Sequence, residues 1–337
     1  MPVRPVDPTA PDPAVIAEAA QLLRAGALVA FPTETVYGLG ANALDARAVR
    51  GIFAAKGRPS YNPLIAHVAD ADAARALVTA WPEAAERLAA AFWPGPVTLV
   101  LPKRAHVPDE VTAGLPAVAV RMPAHPVALA LLRAAEVPVA APSANRFTEL
   151  SPTTARHVEK ALGDRVALVL DGGPTTVGIE STVVDLTGAR PALLRPGTLD
   201  PARLSEALGA PIDVEARAVR EEAPRLSPGM VARHDAPRAT VWLFDAGARD
   251  ATAARLEAHR AARPDARVGA LLLSPWTPAA VPDVPLPMPA DPIGYAQRLY
   301  AALHHLDDEG CDVVLVERPP DAPGWHGVRD RLERSAR

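Results

Sequence analysis

The sequence predicts an α/β protein built from two domains, and three observations predict it. Its length of 337 residues exceeds what a single compact core usually holds. Short apolar runs of strand length alternate with helix-length segments along most of the chain. From about residue 210 to 237 the periodicity fails, and a fresh alternation of strands and helices starts at 239. Strands alternating with helices of that length argue for a small parallel sheet in the second part.

Taken in order, residues 1–11 are proline-rich and read as a loose arm. Asp12-Pro13 opens a helix to about 25, with Asp as the cap, Pro in the first turn and Gly26 as the stop. Residues 27–31 read as a buried strand and 32–43 as a polar loop. Asp45 caps a helix to about 55. A strand follows at 63–68, then short helices at 71–78 and 82–92 and strands at 97–101 and 117–121. A helix at 125–135 leads to a strand at 137–141, which runs into Pro142-Ser143-Ala144-Asn145. Residues 152–162 read as a helix capped by Ser151 and stopped by Gly163. Strands at 166–171, 181–186 and 192–195 and a helix at 200–208 complete the first domain. These assignments set a first domain at 10–209, an ordered linker at 210–237 and a second domain at 238–337. The second domain reads as strand 239–244, helix 251–262, strand 268–273, helix 292–306, strand 312–317 and helix 327–335.

Composition narrows the class. Hydrophobic residues make up 49% of the chain but aromatics only 4%, so the cores are built from Ala, Val and Leu. The 38 prolines punctuate periodic segments and do not cluster as in a disordered tract. A net charge of −4 argues against a globally basic nucleic-acid binder. The lone Cys311 excludes an intramolecular disulfide and a thiolate metal cluster. No apolar stretch reaches the ~20 residues of a membrane helix, and the N-terminus lacks a signal h-region. A soluble, cytoplasmic protein without a membrane partner is expected.

The densest polar stretch lies between Phe31 and His67 and centres on Lys56-Gly57-Arg58. The chain has only three lysines, Lys56, Lys103 and Lys160, so an ammonium here is a departure from its usual cation. The triplet reads either as charge offsetting a helix dipole or as a phosphate clamp. Gly38-Leu39-Gly40-Ala41-Asn42-Ala43 matches a dinucleotide fingerprint by spacing. Its context is poor, and loop glycines needing positive φ are the simpler reading. No Walker A pattern occurs. Ser151 reads as a helix cap or, at a helix N-terminus, as a phosphate contact. Arg121 ends an apolar strand and needs an anion, either a structural carboxylate or a substrate carboxylate. His67 ends another strand, as a structural residue or a site residue. Residues 171–182 form a glycine- and hydroxyl-rich loop suited to a site wall. Glu34 and Asp171 are candidate acids, against the alternative of solvated loop carboxylates. No spacing suggests a zinc site or a Ser/His/Asp set.

Together the segments FPTETVYGLGANA, KGRPSYNPLIAHV, FWPGPVTLVL, VAVRMPAHPVALALL, PVAAPSANRFTELSPT and DGGPTTVGIESTVVDLT, followed by LLRPG, resemble the two-domain threonylcarbamoyl-AMP synthases. SPGMVARHDAP is similar to that family's linker. The stretch YAQRLYAALHHLDDEGCDVVLVERPP is similar, more loosely, to its second domain. The resemblance implies a YrdC-like twisted mixed sheet with flanking helices and a concave site, plus a small Rossmann-like parallel α/β domain. It implies formation of L-threonylcarbamoyladenylate and pyrophosphate from L-threonine, bicarbonate and ATP. Mg²⁺ would accompany ATP, held mainly by its phosphates. Downstream tRNA threonylcarbamoyl-transferase proteins, and a weak tRNA contact, are the implied partners.

Carried over by position, the resemblance puts Lys56, Arg58, Asn62, Ala117, Ser143, Asn145, Ser151, Arg195 and His234 against ATP, with Lys56 and Arg58 as the catalytic pair. It puts Thr35, His67, Arg121, Ala141 and Ser181 around threonine. The chain departs from the family pattern at Asp235, where an aromatic residue is common. It departs again at Pro323-Gly324-Trp325-His326-Gly327 and Asp330-Arg331-Leu332. Two other readings stand beside this one: a non-catalytic RNA- or ribosome-binding protein, and carbamoyl transfer to another acceptor. A pure RNA binder should carry a basic stripe, which the net −4 disfavours. Carbamoyl-transfer enzymes of hydrogenase maturation carry zinc-finger segments, and no C-x₂-C pair occurs here.

Overall fold

A computed structural model describes residues 2–214 and 235–336. Fourteen strands are present among them, in two sheets. In chain order those of the larger sheet are β1 (Val3–Pro5), β2 (Val29–Phe31), β3 (Gly38–Asn42), β4 (Ile65–His67), β5 (Val97–Pro102), β6 (Ala117–Arg121), β7 (Val139–Ala140), β8 (Leu168–Asp171), β9 (Thr182–Asp185) and β10 (Ala192–Arg195). They lie in the order β1-β8-β2-β3-β7-β4-β6-β5-β9-β10. Parallel pairs such as β4–β6 alternate with antiparallel pairs such as β5–β6, so the sheet is mixed. The smaller sheet holds β11 (Thr240–Phe244), β12 (Val268–Leu272), β13 (Val284–Pro287) and β14 (Val313–Glu317), all parallel, in the order β11-β14-β12-β13.

The elements follow from local chemistry. Asp12 caps helix Pro13–Arg24 through its carboxylate on the Ala14 N–H, and Asp45 does the same for helix Ala46–Lys56. Gly57 ends the latter in the left-handed region at φ 63°, where a β-carbon would be strained. This stop leaves Lys56 as the last helical residue, and Arg58 after the turn reaches the lining of a cavity.

Five sequence expectations need correction. The N-terminal arm is not loose: β1 pairs in parallel with β8, and Val6 is buried. The supposed loop 32–43 contains β3, whose two glycines hid its strand character. Gly40 sits there because an added β-carbon would lie 2.8 Å from both the Phe31 ring and Val139. Close packing, not positive φ, fixes Gly38 and Gly40. The helix expected from 152 starts at Ala155, capped by the Thr154 hydroxyl on the His157 N–H. Strand β13 and a one-turn helix at Asp109–Thr112 were not foreseen, both being short and proline-flanked. Of the linker, 210–214 run beside β10, where Leu193 N–H donates to Asp213 O. Residues 215–234 lie outside the described residues.

Apolar layers cover both faces of the larger sheet. A third cluster spans the two sheets: Val36, Leu150 and Ile179 pack with Tyr295, Leu299, Tyr300 and Trp325. Full burial of a large side chain is worth about 1.5–3 kcal/mol, so the two parts are joined by a true core. No helix among the described residues is long and apolar enough to cross a membrane.

Candidate active site

A cavity opens where β3, β4, β6, the loop before β9 and the end of β10 converge. Thr35, Arg58, His67, Arg121, Ala141 and Ser143 line it, together with Ser181 and Arg195. The parallel register of β4 and β6 sets His67 opposite Arg121, so two strand ends deliver an imidazole and a guanidinium side by side.

Arg121 is 3% exposed and bound on three sides. Its Nη2 donates to Glu34 Oε1 at 2.6 Å, Nη1 to Thr35 Oγ1 at 3.0 Å and Nε to Gly95 O at 3.2 Å. Three of the five guanidinium N–H groups are therefore used and two are left. The structural carboxylate expected as one alternative is Glu34, which is neither solvated nor a free acid. Its second oxygen accepts from Ala124 N–H at 3.0 Å. Thr35 Oγ1 in turn lies 2.8 Å from Thr33 Oγ1, a lining residue that the sequence did not single out.

His67 is 3% exposed. Its Nδ1 lies 3.3 Å from Ile65 O, and the ring stands edge-on to Phe31. Burial first, then the Arg121 charge, lower its pKa from 6.5 to about 3, so it is neutral at ordinary pH. Ser181 Oγ pairs with Thr98 Oγ1 at 2.8 Å and accepts from Arg195 Nη2 at 3.1 Å.

Lys56, Arg58 and Arg195 are all buried, and each is shifted toward neutrality. Burial is the main cause; Arg58 also lowers Lys56, and Arg195 lowers Arg58. Arg58 falls to about 9 and Arg195 to about 10, so both stay charged at neutral pH. Arg58 and Arg195, two mutually repelling cations on the cavity lining, suit an anionic ligand. Lys56 does not line the cavity itself. Its Nζ donates to Ser143 O at 2.6 Å, Asn145 O at 2.5 Å and Asn145 Oδ1 at 3.0 Å, which folds the 142–145 loop against the helix end. Arg58 Nη2 donates to Pro63 O. The Nδ2 of Asn62 is buried with no hydrogen-bond partner, a donor awaiting an acceptor.

Ser151 is not a helix cap. It is fully buried, and its hydroxyl lies 2.6 Å from Glu180 Oε1 and 2.9 Å from Asp235 Oδ1. The helix-terminus reading fails with the later helix start. Ala117 stands at the far end of β6 in a small apolar patch with Ile65, Ala119 and Val183, outside the cavity lining. Asp171 is structural, accepting from Tyr37 OH and Gly173 N–H. His234 lies outside the described residues. Thr33, Glu180 and Thr98 are among the residues that sequence reasoning missed, and Asp235 was named only as a departure from the family pattern. The signal available for Glu180 was its place in the polar 171–182 stretch, of which Glu180 and Ser181 line the cavity.

Comparison with known proteins gives a consistent picture. The family profile described as telomere recombination matches residues 21–197. That of the threonylcarbamoyl-AMP synthase C-terminal domain matches 200–337. The threonylcarbamoyl-AMP synthase of Pyrococcus abyssi is 43% identical over 328 residues, covering 94% of this chain and 93% of the relative. That of Bacillus subtilis is 41% identical over 324 residues, covering 95% and 92%. The crystal structure of P. abyssi Sua5 complexed with L-threonine superimposes with a TM-score of 0.91 at 40% identity, over all of this chain and 98% of that one.

Proposed function

The chain belongs to the two-domain threonylcarbamoyl-AMP synthase family, and from that premise we propose that its cavity joins L-threonine, bicarbonate and ATP. The reaction runs in two steps. The threonine amine and bicarbonate form a carbamate with loss of water. A carbamate oxygen then attacks the α-phosphorus of ATP, and the bond to pyrophosphate breaks. The products are L-threonylcarbamoyladenylate and pyrophosphate.

The observation that carries this reading is one buried cavity with two chemically distinct halves. On one side the two remaining N–H groups of Arg121 suit the threonine carboxylate. Thr35 and Ser181 offer hydroxyls to read the substrate hydroxyl, and neutral His67 closes the wall. Rejection of amino acids lacking that hydroxyl follows if these polar groups are left unpaired. On the other side Arg58 and Arg195 face the phosphates, with Lys56 shaping the Ser143–Asn145 loop and the orphan Asn62 amide offering a nucleotide contact. Glu34 is engaged by Arg121 and Glu180 by Arg331, so no carboxylate is assigned as a general base. Positioning and charge stabilisation of the leaving pyrophosphate supply the catalysis.

Mg²⁺ is proposed to enter with ATP. Among the described residues no group of three acidic, imidazole or thiol side chains could hold a metal, whereas a triphosphate brings its own oxygen ligands. The adenylate would then be consumed in the cytoplasm by proteins that move the threonylcarbamoyl group onto tRNA. The test is pyrophosphate release by purified protein with MgATP: it should require threonine and bicarbonate together. Release independent of threonine, or none from folded protein, would contradict the assignment.

A further inference from the structure

We propose that Arg331, on the last helix of the second sheet's layer, is a positioning residue for the reaction, acting through Glu180 and Pro196. The proposal rests on the functional reading above.

Arg331 is 2% exposed and grips two segments of the larger unit at once. Nε donates to Glu180 Oε2 at 2.6 Å, Nη2 to Glu180 O at 3.4 Å and Nη1 to Pro196 O at 3.0 Å. Glu180 directly precedes Ser181, and Pro196 directly follows Arg195. These two segments lie side by side in the cavity wall, where Arg195 Nε also donates to Ser181 O at 3.0 Å. The other oxygen of Glu180 accepts the Ser151 hydroxyl, and Tyr300 OH donates to Oε2 at 3.2 Å. One guanidinium from the second part thus sets the orientation of a carboxylate that touches Ser151, and the separation of the segments carrying Ser181 and Arg195.

Two glycines support this independently. Gly178 lies at φ 82°, and a β-carbon there would sit 2.5 Å from Ala296 O and Gln297 Cα on helix Pro292–Asp308. A β-carbon on Gly327, in helix His326–Ser335, would sit 2.2 Å from Gly197 O. Both helices therefore press their backbones onto the same two segments, beside Ser181 and Arg195.

Docking alone does not call for this ion pair. Well-packed apolar residues hold such interfaces at least as strongly as a buried salt bridge. What the guanidinium adds is direction, since its planar fork fixes two acceptors at once and an ammonium does not.

The experiment compares wild type with Arg331→Lys and Arg331→Met, measuring urea unfolding and kcat/KM for ATP and for threonine. Arg331→Lys should recover most of the stability lost in Arg331→Met, yet kcat/KM should stay roughly ten- to a hundredfold below wild type, as expected for a misplaced site. Hydrogen exchange at the amides of Glu180, Ser181, Thr182, Arg195 and Gly197 should speed up in Arg331→Lys while the rest of the chain is unchanged. A folded Arg331→Lys or Arg331→Met protein with wild-type kcat/KM overturns the proposal. So does activity that recovers in step with stability. Should wild type itself release no pyrophosphate, the functional reading fails, and the exchange pattern of Arg331→Lys decides the positioning claim alone: unchanged exchange at those five amides contradicts it.

Discussion

Arg121 and Glu34, 87 positions apart in the chain, form a buried ion pair 2.6 Å long at the floor of the cavity. Glu34 also caps the Ala124 N–H, and its neighbour Thr35 accepts from the same guanidinium. The strand end and the Thr33–Thr35 turn are thereby fixed to one another before any ligand arrives.

Removing Glu34 should leave Arg121 as a buried charge without its carboxylate. Glu34→Ala is expected to cost about 3–5 kcal/mol in urea unfolding, the range for breaking a buried pair from one side. Glu34→Gln keeps an acceptor for Nη2 and should cost less, while KM for threonine rises. Equal stability of the two variants would contradict the pairing.

Lys56→Ala removes three hydrogen bonds that hold the Ser143–Asn145 loop. The variant should fold, with a loss of about 1–3 kcal/mol, and adenylation should slow by roughly a hundredfold. If the protein unfolds while its folded fraction turns over normally, Lys56 serves the helix end and not the nucleotide.

Acid should destabilise the protein through His67. Its folded pKa of about 3 lies below the ordinary 6.5. Between these values the unfolded chain binds a proton that the folded chain refuses, so stability falls as pH drops below 6.5, by up to about 1.4 kcal/mol per pH unit from this group. His67→Gln should flatten the dependence of unfolding free energy on pH in that window. An unchanged slope would show that His67 is not held neutral.

Gly40→Ala should destabilise the larger sheet by about 1–3 kcal/mol, through overpacking against Phe31 and Val139. A neutral substitution, read by thermal unfolding, would mean that β3 has room which the close approach denies.

The parts of this site that the sequence reveals are those whose chemistry is local. Lys56-Gly57-Arg58 stands out because an ammonium is rare in this chain and Gly57 marks a helix end. Arg121 and His67 stand out because charged groups close apolar strands. Partners distant in sequence stay hidden. Glu34 pairs with Arg121 across 87 positions and Glu180 with Arg331 across 151, and no local periodicity encodes either. Strand β3 was hidden for a different reason: its glycines lower strand propensity, and only the ring of Phe31 pressing on them explains their use. Ser151 looks like a cap beside Pro152, but the hydroxyl is drawn into the core by two carboxylates from elsewhere.

The most direct test of the account is the identity of the nucleotide product. Protein incubated with MgATP, L-threonine and ¹³C-bicarbonate should yield, by mass spectrometry, an adenylate carrying both the threonyl group and the labelled carbon. L-Alanine in place of threonine should give far less. A labelled adenylate formed equally well without threonine, or an adenylate of threonine lacking the labelled carbon, would contradict it.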